Sequence, residues 1–282
     1  MSRGFLSKLL GAGQPVPEEV IRAQAELNTL ARERPAWAGH ISLLSSVLPV
    51  IYAEPPVVAR ADITPEQAYE KLGNGIPILR GEVVSLDNEL LRRRWQDVCR
   101  TARAPKTADL DPAKLMESVL GGEPSRVVEA ARACSCDSNL AATLLRLSVL
   151  PVLARLKDYA SSVCGRVPWE RGYCLICGSN PLLGELRGLE QLLFLRCGWC
   201  AAEWEFARLM CPFCGTRDHE ALAYLTVEEE GDKQRVATCD RCHRYVKVVA
   251  TLTSLAPIDL LMTDVATLHL DLAAVERGFE PA

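Results

Sequence analysis

The sequence predicts an α+β protein: an N-terminal all-α helical domain, two tandem rubredoxin-like or zinc-ribbon β modules, and a C-terminal helix. Three observations carry that expectation. Residues from Val16 to Cys164 place apolar side chains at helical spacing. From Gly165 onward, short β-like runs alternate with tight cysteine turns. Eight of the twelve cysteines fall in four C-x-x-C pairs: Cys174/Cys177, Cys197/Cys200, Cys211/Cys214 and Cys239/Cys242. The expected division is a helical domain over 1–164, a first metal module over 165–206, and a second over 207–282 that includes the last helix.

Pro17, followed by Glu18 and Glu19, opens the first helix with a proline and acids in its first turn. Val20, Ala23, Leu27 and Leu30 form its apolar stripe. Thr64-Pro65-Glu66-Gln67 reads as an N-cap, a proline at the first helical position and a closing Gln67. Asp87 caps a helix carrying Leu90, Leu91, Trp95 and Val98. Asp111-Pro112 starts a shorter one that ends at Gly121-Gly122. Ser138 begins the longest apolar helical run, through Leu144, Leu145, Leu147 and Val149 to Leu156, with Pro151 inside it. Together these make a bundle of roughly six or seven helices.

The β-like runs that follow are Leu182–Leu186, Leu192–Arg196, Ala221–Val227, Arg235–Thr238 and Tyr245–Ala250. Gly231-Asp232, after three glutamates, suits a hairpin connection. A final helix is expected from Thr263 to Arg277, with Thr263 as cap, Leu268, Leu272 and Val275 facing inward, and Gly278 as its stop.

A C-x-x-C turn aims two thiolates at one cation, and two such turns complete a tetrahedral shell of four sulfurs. Four pairs therefore imply two ions held by Cys174, Cys177, Cys197, Cys200, Cys211, Cys214, Cys239 and Cys242. Nineteen residues separate Cys177 from Cys197 and twenty-four separate Cys214 from Cys239. Consecutive pairing is expected, because it closes the shorter loops and makes matching units. Cys174-Leu-Ile-Cys177-Gly-Ser is echoed by Cys211-Pro-Phe-Cys214-Gly-Thr, and the glycine after each pair fits a turn of positive φ. Small β modules bury too little to fold alone, and structural zinc contributes about 10–16 kcal/mol in such units. Tetrahedral sulfur suits zinc and iron equally, so the ion is open: zinc as a staple, or a rubredoxin-type iron able to pass one electron. Thioredoxin-type dithiol chemistry is disfavoured, since no βαβ context surrounds any pair.

The other cysteines and the histidines are read more plainly. Cys99 and Cys164 are expected as small core residues, and Cys134 and Cys136 as buried or incidental thiols. His243 is expected on an exposed strand. The alternative for His243, and for His219, is a hydrogen bond near the metal, while His40 and His269 have no matching partners. Trp199, Trp204 and Phe213 lie nearest the metal turns, as interface anchors or as core. No nucleophile elbow, phosphate loop, HExxH pair or dinucleotide fingerprint occurs, so a catalytic role is not expected.

The net charge is −4. From Gly165 on, 12 Lys and Arg stand against 17 Asp and Glu, so the cysteine-rich part carries −5 and the remainder +1. An acidic ribbon is the wrong sign for phosphate neutralisation, which weighs against a zinc-ribbon nucleic-acid-binding regulator, the alternative reading. That reading would need a local patch at Arg241, Arg244 and Lys247. The longest uncharged apolar run, Ile41 to Ala53, is too short to cross a bilayer. The opening MSRGFLSKLLGAGQ lacks the apolar core of a secretory signal. Reduced, metal-binding thiols and a cytoplasmic location are therefore expected, without membrane insertion.

Several segments together carry a family resemblance. Trp169-Glu-Arg-Gly-Tyr-Cys174-Leu-Ile-Cys177-Gly-Ser-Asn-Pro181 resembles the entry to the metal region of the formate dehydrogenase accessory protein FdhE family. Leu195-Arg-Cys197-Gly-Trp-Cys200-Ala-Ala-Glu-Trp204 and Arg208-Leu-Met-Cys211-Pro-Phe-Cys214-Gly resemble its centre. Cys239-Asp-Arg-Cys242-His-Arg-Tyr-Val-Lys247 and Thr263-Asp-Val-Ala-Thr-Leu-His-Leu-Asp271 continue the likeness. The first pair departs from it, reading CLIC where the family commonly has proline after the leading cysteine. The resemblance implies a helical domain before tandem rubredoxin-like modules. It also implies a cytoplasmic maturation factor, not itself an enzyme, that touches the formate dehydrogenase catalytic subunit, with homo-oligomers allowed.

Overall fold

The computed structural model describes residues 16–53, 55–164, 167–226 and 233–281. Among these residues seven α-helices precede the cysteine-rich region: α1 (Glu18–Glu33), α2 (Ala38–Ile51), α3 (Pro65–Gly73), α4 (Asn88–Thr101), α5 (Pro112–Gly121), α6 (Ser125–Ala133) and α7 (Ser138–Cys164). Two three-residue strands, β1 (Ala59–Ala61) and β2 (Val84–Leu86), pair with each other. They are too short to show an alternating pattern in sequence.

The helix starts follow the local chemistry. Val20, Ala23 and Leu27 form the buried stripe of α1, with Pro17 just before it and Glu18 and Glu19 in its first turn. At α3 the Gln67 N–H donates to Thr64 Oγ1 at 3.3 Å, and the Thr64 N–H donates to Gln67 Oε1 at 2.9 Å, a reciprocal cap. Asp87 accepts from the Leu90 N–H at 2.9 Å and starts α4, whose Leu91, Trp95 and Val98 are buried. Asp111 serves α5 in the same way through the Ala113 and Lys114 amides. By length and composition Ser138–Ser162 of α7 is apolar enough to cross a membrane, but 61% of its apolar window is buried, as in a core helix.

Packing groups the chain into two compact units. One holds residues up to 60, 85–119 and 123–152. Its core includes Val57, Leu91 and Val152. Buried Arg94 there donates to the carbonyls of Ile51 and Pro55 at 3.2 and 2.8 Å. The other holds residues 61–84, 120–122 and everything from 153 on. This grouping departs from the expected 1–164, 165–206 and 207–282. Helix α3 and residues 74–84 pack with the cysteine-rich half, because the Ile78 and Leu79 amides donate to the Leu175 and Ile176 carbonyls, each at 2.8 Å.

The β modules also do not stand apart. β3 (Pro181–Arg187), β4 (Leu192–Cys197) and β5 (Glu203–Glu205) form one antiparallel ribbon. β6 (Leu222–Thr226), β7 (Gln234–Cys239) and β8 (Arg244–Thr251) form the other. Parallel pairing of β3 with β8, from Leu183↔Lys247 to Arg187↔Thr251, fuses them into one six-stranded sheet ordered β5-β4-β3-β8-β7-β6. Five of these strands match the expected runs to within a residue or so at each end. β5 has no such signal at three residues. The expected hairpin at Glu228–Asp232 and the segment before Val16 lie outside the described residues.

The end of the chain differs from expectation. Helix α8 (Pro257–Ala266) begins six residues before Thr263, and α9 (Leu268–Glu276) follows a break at Thr267. Leu270 and Ala274 face inward, whereas Leu272 and Val275 are 52% and 53% exposed. The spacing of Leu268, Leu272 and Val275 is helical within α9, but Leu270 and Ala274, also four residues apart, are the pair that packs on Val236 and Tyr245. Gly278, at φ 85°, ends α9 as anticipated. Leu260 packs on Leu183, Ala201 and Val249, and Leu270 with Ala274 packs on Val236 and Tyr245, so both helices cover the sheet.

Candidate metal centres

Each C-x-x-C pair forms a tight turn held by its own backbone. In the first, the Cys174 N–H donates to Ser179 O at 2.9 Å and the Gly178 N–H to Cys174 O at 2.9 Å. In the third, the Cys211 N–H donates to Thr216 O at 2.9 Å and the Gly215 N–H to Cys211 O at 3.0 Å. The second and fourth turns close through the Ala201 N–H to Cys197 O at 3.0 Å and the His243 N–H to Cys239 O at 2.8 Å. The residue after every pair has positive φ: Gly178 at 82°, Ala201 at 56°, Gly215 at 71° and His243 at 54°. Glycine adopts that conformation freely, whereas alanine holds it at a cost, within a turn closed by the Ala201 N–H to Cys197 O bond. His243 therefore sits in a turn and not on a strand, although it is exposed as expected.

The turns converge in consecutive pairs. Cys174, Cys177, Cys197 and Cys200 form one cluster, and Cys211, Cys214, Cys239 and Cys242 the other, with the sulfurs of each within 4.8 Å of one another. All are free thiols. A cation ~2.3 Å from four tetrahedral sulfurs needs them about 3.8 Å apart. The second cluster shows 3.7 Å for Cys211–Cys242 and for Cys214–Cys239. The first is slightly tighter, at 3.5 Å for Cys174–Cys200 and 3.4 Å for Cys177–Cys197. Backbone amides aim at the sulfurs: Ile176 N–H to Cys174, Trp199 N–H to Cys197 and Phe213 N–H to Cys211, each 3.4 Å. Such donors stabilise thiolate charge. The donor set thus fits two soft or borderline divalent ions. Burial pushes the Cys174 and Cys200 thiols well up, while donation from Cys174, Cys197 and Cys200 holds Cys177 well down. A cation entering the first cluster therefore has to displace protons.

Around the first cluster the chain is locked in place. The Trp169 indole donates to Tyr173 O at 2.7 Å, the Trp204 indole to Arg171 O at 3.0 Å, and the Tyr173 hydroxyl to Gly75 O at 2.7 Å. Trp204 is thus a buried core residue, while Trp199 and Phe213 are half-buried. Beside this cluster lies a cleft of about 1090 Å³ bounded by Leu175, Ile176, Ala201, Trp204 and Arg196. In its wall Arg196 forms a buried ion pair with Glu185 and donates to Leu255 O at 2.7 Å. Arg187 forks onto Glu203 at 3.0 and 2.7 Å. Within β8, Lys247 is buried and its ammonium reaches Asp264 and Asp271, each at 2.7 Å. Burial pulls that ammonium down, but the two carboxylates outweigh it and raise it.

The remaining sequence candidates do not join a site. Cys99 is fully buried, and burial together with Cys136 pushes its thiol up to about 12. Cys134 and Cys136 are half-buried beyond α6. His40 and His219 are exposed. The side chain of Cys164 lies outside the described residues. Sequence reasoning missed the close approach of Gly172 to Pro212, where a Cβ on Gly172 would stand 1.7 Å from the Pro212 carbonyl oxygen. That contact brings the first and third turns together, and the glycine two residues before Cys174 was its only signal.

Residues 209–282 match the family model described as FdhE, C-terminal domain. The chain is 35% identical over 115 residues to the protein FdhE homolog of Aquifex aeolicus, covering 39% of this chain and 40% of that one. To the homolog of Pseudomonas aeruginosa it is 37% identical over 118 residues, covering 39% and 37%. To the protein FdhE of Escherichia coli O127:H6 it is 29% identical over 115 residues, covering 39% and 35%. Each alignment therefore spans two fifths or less of the relative's length. The crystal structure of the FdhE protein from Pseudomonas aeruginosa shares the fold, with a TM-score of 0.57 and 23% identity over 95% of both chains. The resemblance to the FdhE family is borne out in the second metal region by the family model, and in overall architecture by the shared fold.

Proposed function

We propose that this chain is an accessory protein for formate dehydrogenase, without catalytic activity of its own, acting in the cytoplasm. The eight turn cysteines hold two metal ions, zinc or iron, and those ions keep the sheet folded as a platform that docks the catalytic subunit. The observation that carries this reading is the pair of four-thiol clusters in a fold shared with FdhE. Each cluster spends all four ligands on its ion, which leaves no open coordination position for substrate or water. The ion supplies fold closure, and a single-electron couple where it is iron. The chain's own residues supply shape: the amides of Ile176, Trp199 and Phe213 orient the thiolates, and half-buried Trp199 and Phe213 present aromatic surface beside them.

Co-purification tests the proposal. Tagged protein from formate-grown cells is expected to retain a formate dehydrogenase catalytic subunit, and a Cys174→Ser, Cys177→Ser variant to lose it. Recovery of nucleic acid instead of that subunit, with salt-dependent binding, would replace this reading with the regulator.

A further inference from the structure

The two clusters are alike as turns and unlike in their surroundings. All four sulfurs of the first belong to residues at 0% exposure. In the second, Cys211 and Cys239 are buried, but Cys242 is half-buried and Cys214 is exposed. The turns do not cause this difference, because the first and third share the same closing bonds and the same N–H to sulfur distance of 3.4 Å. The cover causes it. Residues 78 and 79 lie along the first turn, their amides bonded to Leu175 O and Ile176 O. The Arg80 guanidinium sits over Gly178, where a Cβ would meet it at 2.3 Å. Gly178 has its counterpart in Gly215, and there a Cβ would meet nothing within 4 Å. Beside the third turn the half-buried Phe213 ring has Arg244 at 5.7 Å, and beside the fourth the Glu280 N–H donates to His243 O at 2.7 Å, yet Cys214 stays exposed.

A closed four-sulfur shell exchanges its ion only when an incoming ligand or electrophile reaches a coordinating sulfur or the ion behind it. An exposed sulfur therefore sets the rate, as it does for thiol reactivity in general. We propose that the cluster of Cys211, Cys214, Cys239 and Cys242 is the exchangeable metal site of this protein. It trades its ion with competing thiols, chelators and thiophilic cations through Cys214, while the first cluster keeps its ion as long as the fold lasts. With an ion held by Cys211, Cys214, Cys239 and Cys242, an incoming thiol would take the position of the exposed Cys214 sulfur, which would be released. The proton released by the incoming thiol goes to Cys214, and no electron is transferred. This inference rests on the reading that both clusters hold ions.

Native mass spectrometry of the full chain after zinc loading, followed in time after adding EDTA, provides the test. One ion is expected to leave roughly tenfold or more faster than the other. Iodoacetamide added in parallel is expected to modify Cys214 and Cys242 before any cysteine of the first cluster. A Cys214→Ser variant is expected to retain one tightly held ion and lose the other on purification. Equal rates for the two ions, or earlier labelling of Cys174 or Cys177, would overturn the inference while leaving the metal-held scaffold intact. A chain that binds no ion yet keeps its sheet would overturn both.

Discussion

Four residues with positive φ, each following a cysteine pair, show how much of the site is written one position at a time. Gly178 and Gly215 announce themselves by type, whereas Ala201 and His243 hold the same conformation with side chains that disfavour it. Glu203 makes a residue-scale prediction about pH. Burial is the largest influence and raises its carboxyl, but the Arg187 fork and the Ser254 hydroxyl overcome it, lowering the carboxyl from 4.5 to about 2. A carboxyl lowered in the fold stabilises above its unfolded value, and that stabilisation fades as pH falls from 4.5 toward 2. Glu203→Gln should therefore melt below the metal-loaded parent at neutral pH. The gap should hold to about pH 5 and narrow below it, down to the pH at which the sheet is lost. Parallel thermal melts measure this, and a gap that widens on acidification would contradict it.

The elements show a different limit. Helix starts at Thr64 and Asp87 were legible because one side chain and one amide settle each of them. Strands of β3, β4, β7 and β8 were legible because the cysteine turns bracket them. The break at Thr267 was not legible, since it leaves no proline or glycine behind, and α9 offers two apolar pairs at helical spacing, of which Leu270 and Ala274 are buried. The parallel joint between β3 and β8 was also hidden, because pairing across more than 50 residues leaves no local trace in sequence. The contact of Gly172 with Pro212 belongs to this scale, as it locks one ribbon's turn against the other's. Gly172→Ala would press a methyl onto a backbone carbonyl that has no rotamer to yield. Destabilisation of about 1–3 kcal/mol is expected, read by denaturant unfolding of the metal-loaded chain. A change within about 0.5 kcal/mol would show that the two turns separate freely.

At the scale of the whole molecule, the turn cysteines stand beside a sheet that also buries Leu186, Leu193, Leu195, Trp204, Val246 and Val248. Leu183, Ala201, Val249 and Leu260 pack as one group of that core, and Val236, Tyr245, Leu270 and Ala274 as another. Glu185 with Arg196, and Lys247 with Asp264 and Asp271, would each be costly to leave unpaired. What the sequence could not show at this scale was the grouping of α3 and residues 74–84 with the cysteine-rich half, since no composition change marks residue 61 or 84. The likeness to FdhE proteins covers residues 209–282 in the family model and nearly the whole chain in fold.

Ions that hold that sheet together should be visible in metal content measured alongside folding. Elemental analysis of the purified full chain should find two zinc or iron ions per polypeptide. Complete removal by a strong chelator should abolish the β-sheet circular dichroism, and adding back metal should restore it. A chain that carries no ion and shows an undiminished sheet signal would contradict the account.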